Sequence, residues 1–295
     1  MSKKSKLNPK YKTLIEDIAR QGYNYSDKEM KVVYKEKKKK LDEIILLLAL
    51  LFTTDSKEGL LKLTSIYQKR LIKDIDNKLE IIGNELGKHE IKNVTDILTR
   101  NYQNTYYRNA FVINSGLKKP LKFNKLNKKV AAKEVNTAID GKLYSDRILK
   151  NKLETINKLK DVIKLAIVGK SYLDVVTNDV TKVMATDSFK THRLVESEIT
   201  RIQAQAIVSL GIAMSIEMQE YSAILDKRTC SDCGSFDGNT YTIFDSTRPS
   251  IPQHSACRCM WIESITWITP SIMLFADEDF DNWLMDNEID FDTED

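Results

Sequence analysis

All four cysteines of this chain fall within 30 positions, in the order C-x2-C, twenty intervening residues, then H-x2-C-x-C. The residues are Cys230, Cys233, His254, Cys257 and Cys259. Nothing else in the sequence restricts the fold so tightly. Two ligands three residues apart form a knuckle, a tight turn that aims both side chains at one point. A second pair at the same spacing can close a tetrahedron around Zn2+. Residues 230–259 must then fold back on themselves, whatever the rest of the chain does. Cys230, Cys233, His254 and Cys257 are the predicted ligands, with Cys259 the alternative fourth. A single residue between Cys257 and Cys259 puts both on one face of an extended chain, but strains one tetrahedron that takes both. Asp226, Arg228 and Asp237 are candidates to contact the ligands from outside. Three other readings stay open from the residues alone: buried free thiols, two disulfides, or a catalytic zinc with an open position. Catalysis has little to draw on. His89 and His192 are distant in sequence and carry no partner signature, and no Ser-His-Asp order, H-E-x-x-H motif or Gly-rich phosphate cradle occurs. The chain is not expected to be an enzyme.

Around this cluster the composition predicts helices. The chain has 295 residues, room for one large domain or two ordinary ones, and only five prolines and ten glycines. It is 42% hydrophobic and 30% charged, as expected of a soluble protein with a substantial core. Abundant Leu, Lys, Ile and Glu favour long helices over a sandwich of short strands. The net charge of +4 hides an asymmetry: residues 277–295 hold ten acids and no base, leaving 46 basic against 32 acidic residues in the body. Such a body suits a polyanion or an acidic protein surface, or is simply well solvated. No secretory signal is apparent, and the apolar run Ile44–Phe52 is too short to span a bilayer, which takes roughly 20 residues. No membrane association is expected. A chain made in a cytosol uses clustered cysteines for metal more readily than for disulfides.

The pattern along the chain predicts four segments. Residues 1–115 read as an N-terminal helical region. Tyr11, Leu14, Ile15 and Ile18 recur at helical spacing, and 42–52 reads as a helix buried on nearly all sides. A periodic run begins at Leu60 and Leu61 and passes through Ile66 and Tyr67 until Gly83 or Gly87 weakens it, and 91–107 forms a further helix. Residues 116–140 form a hinge or arm. Seven lysines without an acid (Lys118, Lys119, Lys122, Lys125, Lys128, Lys129, Lys133) are interleaved with Leu121, Phe123 and Leu126, a pattern that could lie along a phosphate backbone but more often marks a solvated linker or an exposed helix face. Residues 141–268 hold an amphipathic helix from Ile148 to Ala166 punctuated by Gly169, a helical region over 188–218, and short strands at 221–225, 240–244 and 260–262 around the cysteines. These strands predict a small zinc-stapled β-cap. Gly169-Lys170-Ser171 is not a nucleotide loop, since Lys164 stands where its first glycine belongs. Residues 269–295 form an acidic tail, interrupted by Phe280, Trp283, Leu284, Ile289 and Phe291. It reads as a solvating tail or as a motif that folds on a basic surface, the body of this chain included.

Several motifs also occur in the order of one known family. They are Tyr144-Ser145-Asp146-Arg147-Ile148, Gly169-Lys170-Ser171-Tyr172 and Glu198-Ile199-Thr200-Arg201-Ile202-Gln203. The most specific are Leu225-Asp226-Lys227-Arg228-Thr229-Cys230-Ser231-Asp232-Cys233 with Phe236-Asp237-Gly238, and Pro252-Gln253-His254-Ser255-Ala256-Cys257-Arg258-Cys259. Residues 144–259 thereby resemble the head morphogenesis domain of tailed bacteriophages, the Mu F-like minor head proteins. Two departures are a missing arginine before the Glu198 helix and a missing proline between the first two cysteines. The resemblance implies a low-copy structural protein of the virion at the portal vertex. It would act in head morphogenesis, DNA packaging or delivery, with the portal protein or major capsid protein as partners. The host cytoplasm during assembly and the phage head interior are the implied locations. The rival expectation is a zinc-stabilised nucleic-acid-binding regulatory or processing protein.

Overall fold

In a computed structural model, described for residues 7–126, 128–138, 141–225, 227, 229–265 and 277–289, the chain is mainly helical. Three long helices dominate: α1 (Pro9–Asp55), α2 (Ser65–Ser115) and α5 (Leu173–Met214). The short α3 (Lys128–Val135) and the amphipathic α4 (Tyr144–Ile167) lie between α2 and α5 in sequence. A hairpin of β1 (Ser56–Lys57) and β2 (Leu60–Leu61) joins α1 to α2. After α5 come β3 (Met218–Ser222), α6 (Ser231–Phe236), β4 (Thr240–Thr242), β5 (Met260–Glu263) and α7 (Asp277–Asp286). No helix among the described residues is long and apolar enough to cross a membrane.

The chain divides into two compact units, to both of which α1, α2 and α5 contribute. One unit comprises residues 28–95 and 138–193. Its core is aliphatic apart from Phe52, with Ile44, Leu48 and Phe52 of α1, Leu79, Ile82 and Leu86 of α2, Leu159 and Ile163 of α4, and Val176 and Val180 of α5. The stretch 42–52 is buried on one side only, since Leu46 and Leu50 are 60% and 57% exposed. Leu60 and Leu61 begin no helix. They pair with Lys57 and Ser56 across a two-residue turn in which Glu58 and Gly59 both take positive φ, the geometry that matches strand twist. Nor does α2 stop at its glycines. A Cβ on Gly83 would come within 2.5 Å of Ile156 and one on Gly87 within 3.3 Å of Leu149, so both residues allow α4 to approach closely. Gly169 does end α4, with φ +73. Its N–H donates to the Ala166 carbonyl and that of Lys170 to the Leu165 carbonyl, a Schellman closure.

The same unit buries four charges. Lys37 of α1, Glu90 of α2, Lys152 of α4 and Asp187 of α5 are all under 5% exposed. Lys37 lies 3.0 Å from Glu90 and 2.8 Å from Asp187; Lys152 lies 2.9 Å and 2.6 Å from the same two carboxylates. Thr155 donates to Asp187 and Thr191 to Glu90. Two cations and two anions cancel, each in contact with both opposite charges, which is the condition under which a buried ion cluster is tolerated.

The other unit comprises the described parts of residues 1–27, 96–137 and 194–295. Here α1, α2 and α5 bury Tyr11, Ile15, Ile18, Tyr102, Tyr106, Ile199 and Ile202. The helix over 188–218 in fact starts at Leu173 and stops at Met214, where Ser215 takes positive φ and Ile216 N–H reaches back to the Gly211 carbonyl at 2.8 Å. Strands β4, β3 and β5 form an antiparallel sheet in that order. The first strand lies at 218–222, three residues ahead of its expected position. The sheet is open, with β4 and β5 as its two edges; strands of three to five residues are too few and too short to curl closed.

Candidate metal centre

One short helix and the loop that leads into β5 carry the sulfur and nitrogen donors. Cys230 caps α6 and accepts from the Cys233 N–H at 3.4 Å, so the C-x2-C knuckle is the first turn of a helix. Cys257 and Cys259 lie on the approach to β5, and His254 at the start of that approach. The donor atoms form two groups that share one member. Cys230, Cys233 and His254 lie with their ligand atoms within 4.8 Å of one another, as do Cys233, Cys257 and Cys259. Cys233 Sγ is 3.5 Å from His254 Nε2 and 3.9 Å from Cys257 Sγ. All five side chains, with Ile224, Thr229, Ala256 and Arg258, line a cavity of about 20 Å³. That is the room of one water or one ion. None of the four cysteines is bonded to another.

Electrostatics divide the sulfurs. Hydrogen bonds, foremost from the Cys259 thiol, pull Cys257 down to about 5, whereas burial pushes Cys233 up to about 11. Cys257 therefore ionises most readily, accepting from its neighbours, and Cys230, accepting from the Cys233 N–H, is lowered as well. His254 Nδ1 lies 2.9 Å from the Ser255 carbonyl. That oxygen can only accept, so Nδ1 carries the proton and Nε2 turns its lone pair toward Cys233. The set offers soft, convergent donors that can hold a metal ion.

The supports of this cluster lie mostly on α5, where no spacing advertises them. Thr200 Oγ1 donates to the Cys257 carbonyl at 2.5 Å and pairs with Tyr23 OH at 2.7 Å. Ser197 Oγ accepts from Ala256 N–H at 3.0 Å. The loop that bears His254 and Cys257 is thus hung from one face of α5. Tyr221, at 0% exposure on β3, directs its hydroxyl to Cys233 Sγ at 3.7 Å, and Trp261 and Phe236 pack edge-on to its ring. Of the three outer contacts predicted, Asp226 and Arg228 lie outside the described residues. Asp237 accepts from Ala223 N–H at 2.8 Å and lies 4.0 Å from Lys12, fastening the end of β3. His89 and His192 belong to neither donor group.

The polar residues of the Glu198–Gln203 motif are also placed. Arg201 donates to the Glu198 carboxylate at 2.8 Å and to the Glu134 and Val135 carbonyls that end α3, at 2.9 and 3.0 Å. Gln203 donates to the Ala19 carbonyl of α1 at 2.9 Å. These are buried clamps on helix backbone. Compared with known proteins, the chain matches no family model, no curated protein and no solved structure.

Proposed function

We propose that the chain is a structural minor head protein of a tailed phage, in which a zinc ion held by Cys230, Cys233, His254 and Cys257 staples the β3–β5 sheet to α5 and α6. The convergence of the C-x2-C knuckle and the H-x2-C-x-C segment on one ion-sized cavity carries this reading. A tetrahedron of Zn–S bonds near 2.3 Å and Zn–N bonds near 2.0 Å requires S···S spacings of about 3.8 Å and S···N spacings of about 3.5 Å. The 3.9 Å from Cys233 to Cys257 and the 3.5 Å from Cys233 to His254 fit two of its edges. Cys257 does not lie within 4.8 Å of both Cys230 and His254, so the set closes around the ion by drawing those residues together. Cys259, next in line behind Cys257, is the alternative fourth ligand. Zinc supplies cohesion here, since three strands totalling twelve residues have little core of their own. In this reading residues 141–268 dock on the portal protein or the major capsid protein, and the lysine-rich arm accommodates packaged DNA. The protein binds and positions, and is not an enzyme.

Two measurements test this. Elemental analysis of protein purified under reducing conditions should give about one zinc per chain; none would remove the staple. Mass spectrometry of purified virions should find the protein in a few copies at the head. Absence from virions, with zinc present, would favour the zinc-stabilised nucleic-acid-binding regulator.

A further inference from the structure

The helix α7 carries Asp279, Asp281 and Asp286 exposed, and no basic residue occurs along it. Yet it is anchored. Phe280 is 2% exposed, and Trp283 stacks on Phe123 with ring centroids 5.5 Å apart and planes 19° off parallel. Phe111 lies 5.6 Å from both aromatic rings, and the Arg108 guanidinium sits 4.4 Å over Phe280. Just past the helix, Lys125 Nζ donates to the Glu288 carbonyl at 3.1 Å and lies 3.4 Å from its carboxylate. Phe123 and Lys125 belong to the arm of seven lysines without an acid. Among the described residues its exposed Lys118, Lys119 and Lys122 form no ion pair.

We propose that α7 is an intramolecular stand-in for a phosphate backbone, a clasp that occupies the 118–125 arm and yields it to duplex DNA. Two features separate holding from competing. The aromatic seat holds the helix by contacts that salt does not screen. The carboxylates compete, because a helix is about 10 Å across, close to the Debye length of about 8 Å at physiological salt, so phosphates approaching Lys122 or Lys125 meet their repulsion. DNA is favoured over an acidic protein because, within residues 118–125, the only lysine paired among the described residues is Lys125, with Glu288, which leaves Lys118, Lys119 and Lys122 exposed to a longer polyanion. Lysines spread along a segment without regular structure suit a uniform line of phosphates. The choice of DNA rests on the virion reading above; the clasp does not.

The test compares the full chain with its Phe280→Ala/Trp283→Ala variant, titrating a fluorescent 30-base-pair duplex at several salt concentrations. Circular dichroism should show the same fold in both, and a chain ending at residue 276 serves if the point variant misfolds. Unlatching should tighten binding at least tenfold at low salt and steepen the salt dependence by about one phosphate contact or more. Replacing Lys118, Lys119, Lys122 and Lys125 by glutamine should abolish the gain. Equal affinity in latched and unlatched chains would overturn the clasp, as would a gain that survives loss of the lysines. Unlatched chains that pair with one another, or take an acidic helical peptide while ignoring DNA, would also overturn it. Failure here leaves the zinc count and the virion content untouched.

Discussion

The two units hold their interiors together by opposite means. One buries Lys37, Glu90, Lys152 and Asp187 as a closed set, in which each charge finds both opposite charges within 3.0 Å. The other gathers five donors around Cys233, whose sulfur lies 3.5 Å from the His254 nitrogen and 3.9 Å from the Cys257 sulfur. Ion pairs satisfy themselves, and lone pairs on sulfur do not. The ionic set is complete from the chain alone, while the sulfur cluster becomes a strong fastening only when a cation enters it.

Breaking each set should therefore fail differently. The largest effect is expected from Cys233→Ser, which removes the one donor shared by both groups. Metal content should fall to zero and the sheet should unfold, since binding of a structural zinc is worth on the order of 10 kcal/mol; an unchanged zinc stoichiometry would refute the assignment. Next comes Lys152→Met, which leaves two buried carboxylates facing one ammonium and should cost about 3–5 kcal/mol in denaturant titrations. The double variant Lys152→Met/Asp187→Leu sharpens the contrast. It should recover most of that loss, because a matched pair is removed together, whereas no second cysteine change rescues Cys233→Ser.

Smaller effects come from the unit that holds the cysteines. Glu263 is 1% exposed on β5, with Gln219 donating to it at 3.0 Å and Arg248 reaching Gln219 at 2.6 Å. Burial lifts its carboxyl to about 8 against an ordinary value of 4.5. The folded state thus prefers the neutral acid. Its stabilising contribution is complete below about pH 4.5 and fades as pH rises through 8. Melting temperature should decline between pH 5 and 8, and Glu263→Gln should flatten that slope; an unaltered slope would exclude Glu263 as its source. The smallest expected change is Thr200→Val, which removes the hydrogen bond to the Cys257 carbonyl. It should cost about 1–2 kcal/mol and weaken zinc binding roughly tenfold, measured by chelator competition.

Local chemistry made part of this legible in advance. The knuckle, the amphipathic α4 and its Gly169 stop, and three short strands near the cysteines all follow from spacing and period over a few residues. Leu46 and Leu50 read as core because apolar content was visible and the facing helix was not. Gly83 and Gly87 read as helix breakers because the reason for them, close contact with Ile156 and Leu149, comes from residues more than sixty positions away. For the same reason nothing near Lys37 in sequence marks it as buried, since its partners Glu90 and Asp187 lie on other helices. Thr200 and Ser197 carry no motif as supports of the cluster, since their partners are a carbonyl and an N–H of a loop over fifty residues distant.

Cys233 has a practical consequence through oxidation. Its sulfur stands 3.9 Å from that of Cys257, the thiolate most ready to attack an oxidised neighbour. In metal-free protein exposed to air, these two sulfurs can give two electrons to dioxygen and join; the dioxygen leaves as hydrogen peroxide, with the proton of the Cys233 thiol and one from solvent. Both donor groups are then disabled by one event. Preparations made without reductant should count fewer zinc ions than chains, and adding zinc afterwards should not restore the difference until the sulfurs are reduced.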